Sequence, residues 1–294
     1  MASPAEWVEG ARPRTLPAAV SPVLAGTGIA IAAGSFGWAK ALLALVVALA
    51  LQVAVNYAND YSDGVRGTDA DRVGPLRLVG SGVAPAGQVR SAAYAGFAVA
   101  AVAGLVLAAT TSWWLALVGA VAIVAAWFYT GGSVPYGYRA LGEVSVFVFF
   151  GLVAVVGTSY VQTERLTAGG WWAGAGIGAL ACAILVANNL RDIPTDSRAG
   201  KRTLAVVLGD RSSRTLYAAL LVVAGVALLL VGLTVTWWAL LGLVATPLAA
   251  RAVAVVASGT TGPGLIAVLR DTGLTELLYA VGLLVGCVVA AATR

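Results

Sequence analysis

Long apolar runs alternate with short polar stretches along the whole chain. Dividing the sequence at the polar stretches leaves runs of roughly 17–25 residues, the length that an α-helix needs to cross the hydrocarbon core of a bilayer. We therefore predict an all-α, polytopic membrane bundle of about nine transmembrane helices. The predicted spans are 16–34, 38–58, 88–110, 113–130, 142–162, 170–189, 213–233, 236–255 and 273–292.

Two kinds of connection join the predicted spans. Short turns carry the pairs Trp113-Trp114, Trp171-Trp172 and Trp237-Trp238, which is typical of the aromatic belt at a membrane surface. The opposite side has longer polar loops at 59–87, 131–141, 190–212 and 256–272. If the N-terminus is cytoplasmic, every Lys and Arg except Lys40, Arg165 and Arg294 lies on the cytoplasmic side. The positive-inside rule therefore predicts a cytoplasmic N-terminus, cytoplasmic polar loops and an external C-terminus.

One polar pattern occurs twice in the sequence. Asn59-x-x-x-Asp63 and Asn188-x-x-x-Asp192 have the same spacing, and each follows the second span of a group of four. An internal repeat in a membrane bundle often places a binding site between the repeats. We predict a single domain over 1–294, built from two four-helix halves and a final helix.

Composition narrows the class of protein further. Hydrophobic residues make up 60% of the chain and charged residues 11%, whereas about 25% of a typical soluble domain is charged. There is no His, and both Cys residues lie inside apolar runs. This excludes His-ligated haem, a His general base and a disulfide framework. We expect a lipid bilayer around the chain and no nucleic-acid partner.

The acidic residues beside the repeated pattern point to a metal ion. Residues three or four apart share one face of a helix, so Asp60 and Asp63 can point together, as can Asp192 and Asp196. Carboxylates that converge in a medium of low dielectric repel one another unless a cation lies between them. Oxygen ligands of this kind suit Mg²⁺, which binds one or two carboxylates together with water and substrate phosphate. We therefore predict two Mg²⁺ sites or one shared, elongated site.

Basic residues surround both acidic clusters. In chain order they are Arg66, Arg72, Arg77, Arg191, Arg198, Lys201 and Arg202. Guanidinium and ammonium groups bind phosphate oxygens, while the carboxylates bind the metal. Acidic and basic groups together favour a metal–diphosphate ligand.

A secondary transporter is an alternative of another class, because intramembrane carboxylates and repeats also occur there. Transporter sites lie near the midplane of the bilayer, whereas the carboxylates here fall at the ends of spans. The pattern therefore favours an enzyme. Metal-dependent release of diphosphate would distinguish the two classes.

At these residues the sequence resembles the UbiA-type membrane prenyltransferase superfamily, which has nine helices and two Asp-rich motifs. Asn59, Asp60 and Asp63 match the first motif, of the type N-D-x-x-D-x-x-x-D. Asp192 and Asp196 match the second, of the type D-x-x-x-D. The resemblance implies the same all-helical fold and an enzyme that uses a polyprenyl diphosphate and Mg²⁺.

One position departs from the first motif. Gly67 takes the place of its last Asp, and Asp69 is a candidate replacement as a metal ligand. The stretches 12–17, 59–63, 71–77 and 200–204 resemble the branch of the superfamily that acts in menaquinone synthesis.

That branch implies 1,4-dihydroxy-2-naphthoate as the acceptor, with loss of its carboxylate as CO₂, and a location in a bacterial plasma membrane. 4-Hydroxybenzoate, a chlorophyll precursor, haem and a glycerol phosphate lipid remain alternative acceptors. Activity with a panel of acceptors would decide among them.

The residues and the resemblance together give an assignment of roles. The predicted catalytic and metal-binding residues are Asp60, Asp63, Asp192 and Asp196, with Asp69 as a further metal ligand. The predicted substrate-binding residues are Asn59, Asn188, Arg72, Arg77, Arg139, Arg191, Lys201, Arg202, Tyr61 and Tyr138. Any of Arg72, Arg77 and Arg139 could bind the carboxylate of the acceptor. Tyr61 and Tyr138 are candidates to stabilise an allylic cation through their ring faces, and the general base is left open between a carboxylate and the released diphosphate.

Overall fold

The structure is a computed structural model that describes residues 2–67 and 76–293. Helices dominate the described residues, which contain no strand and one isolated bridge between Arg139 and Arg202. The predicted all-α fold is confirmed. The helices are α1 (Pro4–Gly10), α2 (Pro17–Ala32), α3 (Trp38–Arg66), α4 (Ala86–Thr110), α5 (Trp114–Phe128), α6 (Gly142–Thr163), α7 (Ala168–Arg198), α8 (Leu204–Thr234), α9 (Trp237–Ala257) and α10 (Leu265–Ala292).

Helices α2 to α10 lie where the nine spans are predicted, but they differ in length. Within residues 2–67 and 76–293, seven helices are long and apolar enough to cross a membrane. Together with the helical segment Pro4–Thr15, from which it is bent by 48°, α2 forms an eighth candidate. The 15 residues of α5 extend only about 22 Å at 1.5 Å per residue. The predicted count of nine full-length spans is therefore not confirmed.

The two helices that carry the repeated pattern are longer than predicted. We placed the ends of these spans at 58 and 189, where the apolar runs stop, but α3 continues to Arg66 and α7 to Arg198. The Asp motifs therefore lie on the last turns of helices and not in loops. Gly67 and Gly200 follow these turns with a φ of 71° each, the left-handed conformation in which helices commonly end.

The helices that carry the repeated pattern each pack against the helix that follows them. In the first half α3 packs against α4, and in the second half α7 packs against α8, while α10 contacts α2 and α9. Close contact between α6 and α7 depends on glycine: a Cβ atom at Gly151 would come within 2.5 Å of the Cα atom of Gly178. Next to this contact α6 widens into a seven-residue π-helix, Phe147–Val153.

Glu276 lies in α10, inside the apolar core formed with α7, α8 and α9. Its side chain is fully buried, and neither carboxylate oxygen has a hydrogen-bond partner among the described residues. A buried acid without a partner costs free energy in either protonation state, because its polar oxygens lose their water.

We therefore expect Glu276→Met, which removes the polar group and nearly keeps the volume, to stabilise the fold by about 1–2 kcal/mol. The apparent unfolding temperature of the purified protein in detergent would rise by a few degrees. A lower unfolding temperature, or a folded variant without activity, would contradict this expectation and give the carboxyl group a role that packing does not explain.

Candidate active site

A cavity of about 2400 Å³ runs through the bundle between the two halves. Asp63 of α3 and Asp192 of α7 line one end of it, which we call the Asp end. Trp114 of α5 and Trp171 of α7 line the opposite end, which we call the Trp end. Between the two ends the walls are mainly aliphatic and aromatic side chains. The cavity therefore joins a charged chamber to a long apolar passage.

The repeated pattern meets at the Asp end. Asn59 and Asp63 line the cavity from one side, and Asn188 and Asp192 line it from the other. Each Asn precedes its Asp by one helical turn, so that both side chains lie on the same face of their helix. Asp196, one turn further along α7, also lines the cavity. The structure thus brings both repeats to one chamber.

Asp63 is nearly buried, with 3% of its surface exposed. Nη2 of Arg77 lies 3.4 Å from one carboxylate oxygen, and Nζ of Lys201 lies 3.5 Å from the other. The hydroxyl of Tyr138 donates a hydrogen bond to the same oxygen that Lys201 approaches. These cationic and hydroxyl donors offset the cost of keeping a carboxylate away from water.

Asp192 is held by its neighbour in sequence. Nε of Arg191 lies 2.6 Å from one carboxylate oxygen of Asp192, and Nη2 lies 2.7 Å from the other. The same Nη2 donates to Oδ1 of Asn188 at 2.9 Å. Such a two-pronged pair fixes both groups in orientation as well as in charge. In the second repeat, one cation, one carboxylate and one amide are therefore held in a preorganised arrangement.

A short segment of the second half reaches across to the first. The backbone N–H of Arg202 donates to the carbonyl of Tyr138 at 3.0 Å, and that of Lys201 donates to the carbonyl of Asp196 at 2.9 Å. These bonds place the ammonium of Lys201 at 4.7 Å from the centre of the Tyr138 ring and beside Asp63. Lys201 therefore contacts the acid of one repeat while its backbone is anchored to the other.

Asp60 faces away from the chamber, unlike Asp63. Its two carboxylate oxygens accept hydrogen bonds from the backbone N–H groups of Leu78 and Val79, at 2.7 and 3.0 Å. It is 1% exposed and does not line the cavity. The structure therefore contradicts the predicted metal-binding role of Asp60, because both oxygens already anchor the chain that follows α3.

Three predicted substrate-binding residues also lie outside the cavity. The ring of Tyr61 stacks on Trp127 and contacts the guanidinium of Arg90, on the side of α3 that faces α4 and α5. Arg139 and Arg202 are exposed and line a separate small recess. The cavity therefore gives no support to a role for these three residues in substrate binding. Charge and aromaticity in a sequence indicate at which membrane surface a residue lies, but not which way its side chain points.

Two other predicted residues are outside the part of the chain that the structure describes. Asp69, the candidate replacement metal ligand, and Arg72, a candidate for the acceptor carboxylate, fall in 68–75. Their roles stay predictions.

Several cavity residues were not predicted from the sequence. Arg12 and Arg14, in the segment between α1 and α2, line the Asp end together with Asn56. The side chain of Asn56 donates to the carbonyl of Ala11 at 2.8 Å, which holds this segment over the chamber. One signal was present: Asn56 precedes Asn59 by three residues, so that the two share a helix face.

The oxygen donors at the Asp end fit Mg²⁺ only in combination with a ligand. Among the described residues, no three acidic, His or Cys side chains lie close enough to hold a metal by themselves. The predicted convergence of four carboxylates is therefore not found. Mg²⁺ usually takes one or two protein carboxylates and completes its shell with water and phosphate. Asp63 on one wall and Asp192 and Asp196 on the other match that requirement.

Comparisons with known sequences agree with this geometry. Residues 19–263 match the model of the UbiA prenyltransferase family. A Mycobacterium tuberculosis protein named 1,4-dihydroxy-2-naphthoate octaprenyltransferase is 59% identical, over 95% of this chain and 96% of its own. An Escherichia coli protein of the same name is 38% identical over 94% of each chain. Both relatives are matched over nearly their full length.

Solved structures show the same fold. A UbiA homologue from Aeropyrum pernix superposes with a TM-score of 0.66 at 17% identity, over 94% of this chain and 98% of its own. A UbiA homologue from Archaeoglobus fulgidus bound to DMAPP and Mg²⁺ gives a TM-score of 0.65 at 15% identity, over 98% of this chain and all of its own. The family match over most of the chain and the identity to these relatives show that this multi-pass membrane protein belongs to the UbiA prenyltransferase family.

Proposed function

We propose that the protein transfers a polyprenyl group from polyprenyl diphosphate to 1,4-dihydroxy-2-naphthoate, with loss of CO₂, to give demethylmenaquinone in its reduced form and diphosphate. One observation carries the proposal beyond the family: a charged chamber with two Asn/Asp pairs opens directly into an apolar passage along the bundle. A polyprenyl diphosphate has two matching parts: a charged diphosphate head that suits the chamber, and a long apolar isoprenoid tail that suits the passage. The names of the relatives supply the acceptor.

The Asp end has the groups needed to bind a metal diphosphate. Asp63, Asp192 and Asp196 would hold Mg²⁺, which neutralises charge on the departing diphosphate and so lowers the barrier to breaking the C–O bond. Arg191 and Lys201 already lie beside these carboxylates. Each is therefore within reach of a phosphate oxygen that binds next to the acids, where it stabilises the same developing charge.

Cleavage of the C–O bond leaves its electron pair on the diphosphate and an allylic cation on the prenyl group. Water would capture that cation, so the reaction needs a pocket from which water is excluded. The passage beyond the chamber is lined by apolar side chains such as Phe149, Leu152 and Val156. The rings of Tyr129 and Tyr138 lie at the entrance to the passage, where an aromatic face can stabilise a cation.

The acceptor ring then attacks the cation, and a new C–C bond forms at the carbon that carries the carboxylate. Loss of CO₂ returns the electrons of the broken C–C bond to the ring and restores its aromaticity. Arg12 and Arg14 line the chamber beside the N-terminal segment, and a guanidinium there suits the carboxylate of the acceptor. We therefore propose both, together with Arg77, as candidates to bind the carboxylate of the acceptor. Arg139 lies outside this cavity.

We also propose that the Asp end faces the cytoplasm of a bacterial cell, with the protein in the plasma membrane. The bias of Lys and Arg toward this side supports the orientation. Trp38, Trp113 and Trp237 are exposed near the opposite end. Because Trp is enriched at membrane–water interfaces, they support placing the other membrane surface there.

Purified protein in nanodiscs, given labelled polyprenyl diphosphate and 1,4-dihydroxy-2-naphthoate, is expected to form the prenylated and decarboxylated product. The reaction should stop when EDTA removes Mg²⁺ and resume when Mg²⁺ is restored, because without the metal the carboxylates repel the negatively charged diphosphate. Product mass and release of CO₂ are the readouts.

Product with 4-hydroxybenzoate but none with the naphthoate would overturn the acceptor and keep the reaction class. Turnover that persists in EDTA would contradict the metal assignment. Absence of diphosphate release with every acceptor, from a folded protein with Mg²⁺, would favour transport instead.

A further inference from the structure

The structure assigns Arg139 and Arg202 to a binding site for the phosphate of an anionic lipid. Both residues line a recess of about 480 Å³, together with Ala140 and Val207, separate from the main cavity. This inference concerns a surface outside the active site. It stands independently of the proposed reaction.

The backbone places the two arginine residues side by side. Arg139 and Arg202 form an isolated parallel β-bridge, and paired strands lie about 4.8 Å apart. Bridge partners extend their side chains to the same side of the pair, which explains why both line one recess. Two cations that line one recess repel each other, and an anion bound between them would offset that repulsion.

Neither arginine has an acidic partner among the described residues. Arg77, Arg191 and Lys201, by contrast, each form an ion pair at the Asp end. Both Arg139 and Arg202 are exposed. Their charge is therefore available to a ligand from outside the protein.

The position of the recess specifies a lipid. Arg139 lies three residues before α6 and Arg202 two residues before α8, at the level where both helices begin. Val207 lines the recess, and Leu141, Val144 and Leu208, which follow the two arginines closely in sequence, are exposed apolar side chains in the same two segments. Apolar surface for acyl chains beside paired cations fits a phospholipid headgroup, and basic pockets between helices are known sites for acidic lipids.

A lipid phosphate at this recess would hold together the segments 136–139 and 200–203, which the Arg202 to Tyr138 backbone bond already joins. These segments carry Tyr138 and Lys201 to Asp63. The bound lipid is therefore expected to stabilise the folded protein.

The test uses the full-length protein, native mass spectrometry and thermal unfolding in nanodiscs of phosphatidylcholine, with or without about 30% of the anionic lipid phosphatidylglycerol. The wild type should retain phosphatidylglycerol and unfold at a higher temperature when it is present. In Arg139→Gln/Arg202→Gln the affinity for this lipid should fall about a hundredfold, since loss of a direct charge-assisted hydrogen bond to the phosphate costs about tenfold for each arginine. The control Arg90→Gln/Arg211→Gln removes the same charge from exposed sites near the same end and should bind like the wild type.

If the control pair loses as much affinity for phosphatidylglycerol, the effect comes from overall charge, and the proposed site is overturned. Equal retention by the Arg139/Arg202 variant would overturn it as well. Protection by inorganic phosphate as large as that by the lipid would replace the lipid with a free anion. Because no readout involves turnover, failure of the proposed reaction would leave this result unaffected.

Discussion

Replacing Asp63 by Asn is expected to lower the rate of prenyl transfer by at least about a hundredfold, the loss typical when one group that stabilises transition-state charge is removed. The substitution keeps the size of the side chain and removes its charge. It therefore weakens metal binding and leaves Arg77 and Lys201 without the acid beside which they lie. The assay is Mg²⁺-dependent release of diphosphate, and raising Mg²⁺ should restore part of the rate.

The matched control is Asp210→Asn on α8. Asp210 also pairs with an arginine, Arg214, but its carboxylate is 55% exposed and lies outside the cavity. Near-normal turnover of the Asp63 variant, with a fold as stable as that of the control, would remove this residue from the proposed chemistry.

Replacing Asp60 by Ala is expected to act on stability, with a loss of about 3 kcal/mol, because the buried N–H groups of Leu78 and Val79 would lose their acceptors. Asp60→Asn keeps one acceptor oxygen and should fall between the wild type and the Ala variant. The measurement is the apparent unfolding temperature, with Asp210→Ala as the control.

The two predictions separate neighbouring acids of one motif. If Asp60 were a metal ligand in spite of its hydrogen bonds, the Ala variant would unfold like the wild type and lose only Mg²⁺-dependent turnover. That outcome would make Asp60 a metal ligand and not an anchor for the backbone.

The sequence identified the fold and the two repeats because their signals are periodic. Apolar runs of membrane length locate the helices, and the identical spacing in Asn59/Asp63 and Asn188/Asp192 identifies both walls of the chamber. Helix geometry held further information: Tyr61 and Asp63 are two residues apart, so their side chains point about 200° apart around α3. Placing both in one site was inconsistent with a helix that extends to Arg66.

Other features depend on contacts between distant parts of the chain. The repeat already distinguishes Asp63, whose counterpart is Asp192, from Asp60, which aligns with Asn189. It does not show that the backbone at 78–79 returns to Asp60 and occupies both of its carboxylate oxygens. Arg139 and Arg202 lie at the expected end of the bundle, but the bridge between them turns both away from the cavity. The periodic pattern of apolar residues does not reveal such pairings, because they depend on the path of the segments that connect the helices.

The open passage between the two halves affects more than catalysis. Packed protein interiors contain few voids larger than a water molecule, whereas this bundle keeps about 2400 Å³ free along its axis. The two halves therefore pack against each other less closely than the halves of a solid core, and an isoprenoid tail bound in the cavity would add dispersion contacts to both. We therefore expect a donor with a longer chain to raise the unfolding temperature of the protein more than a donor with a shorter chain.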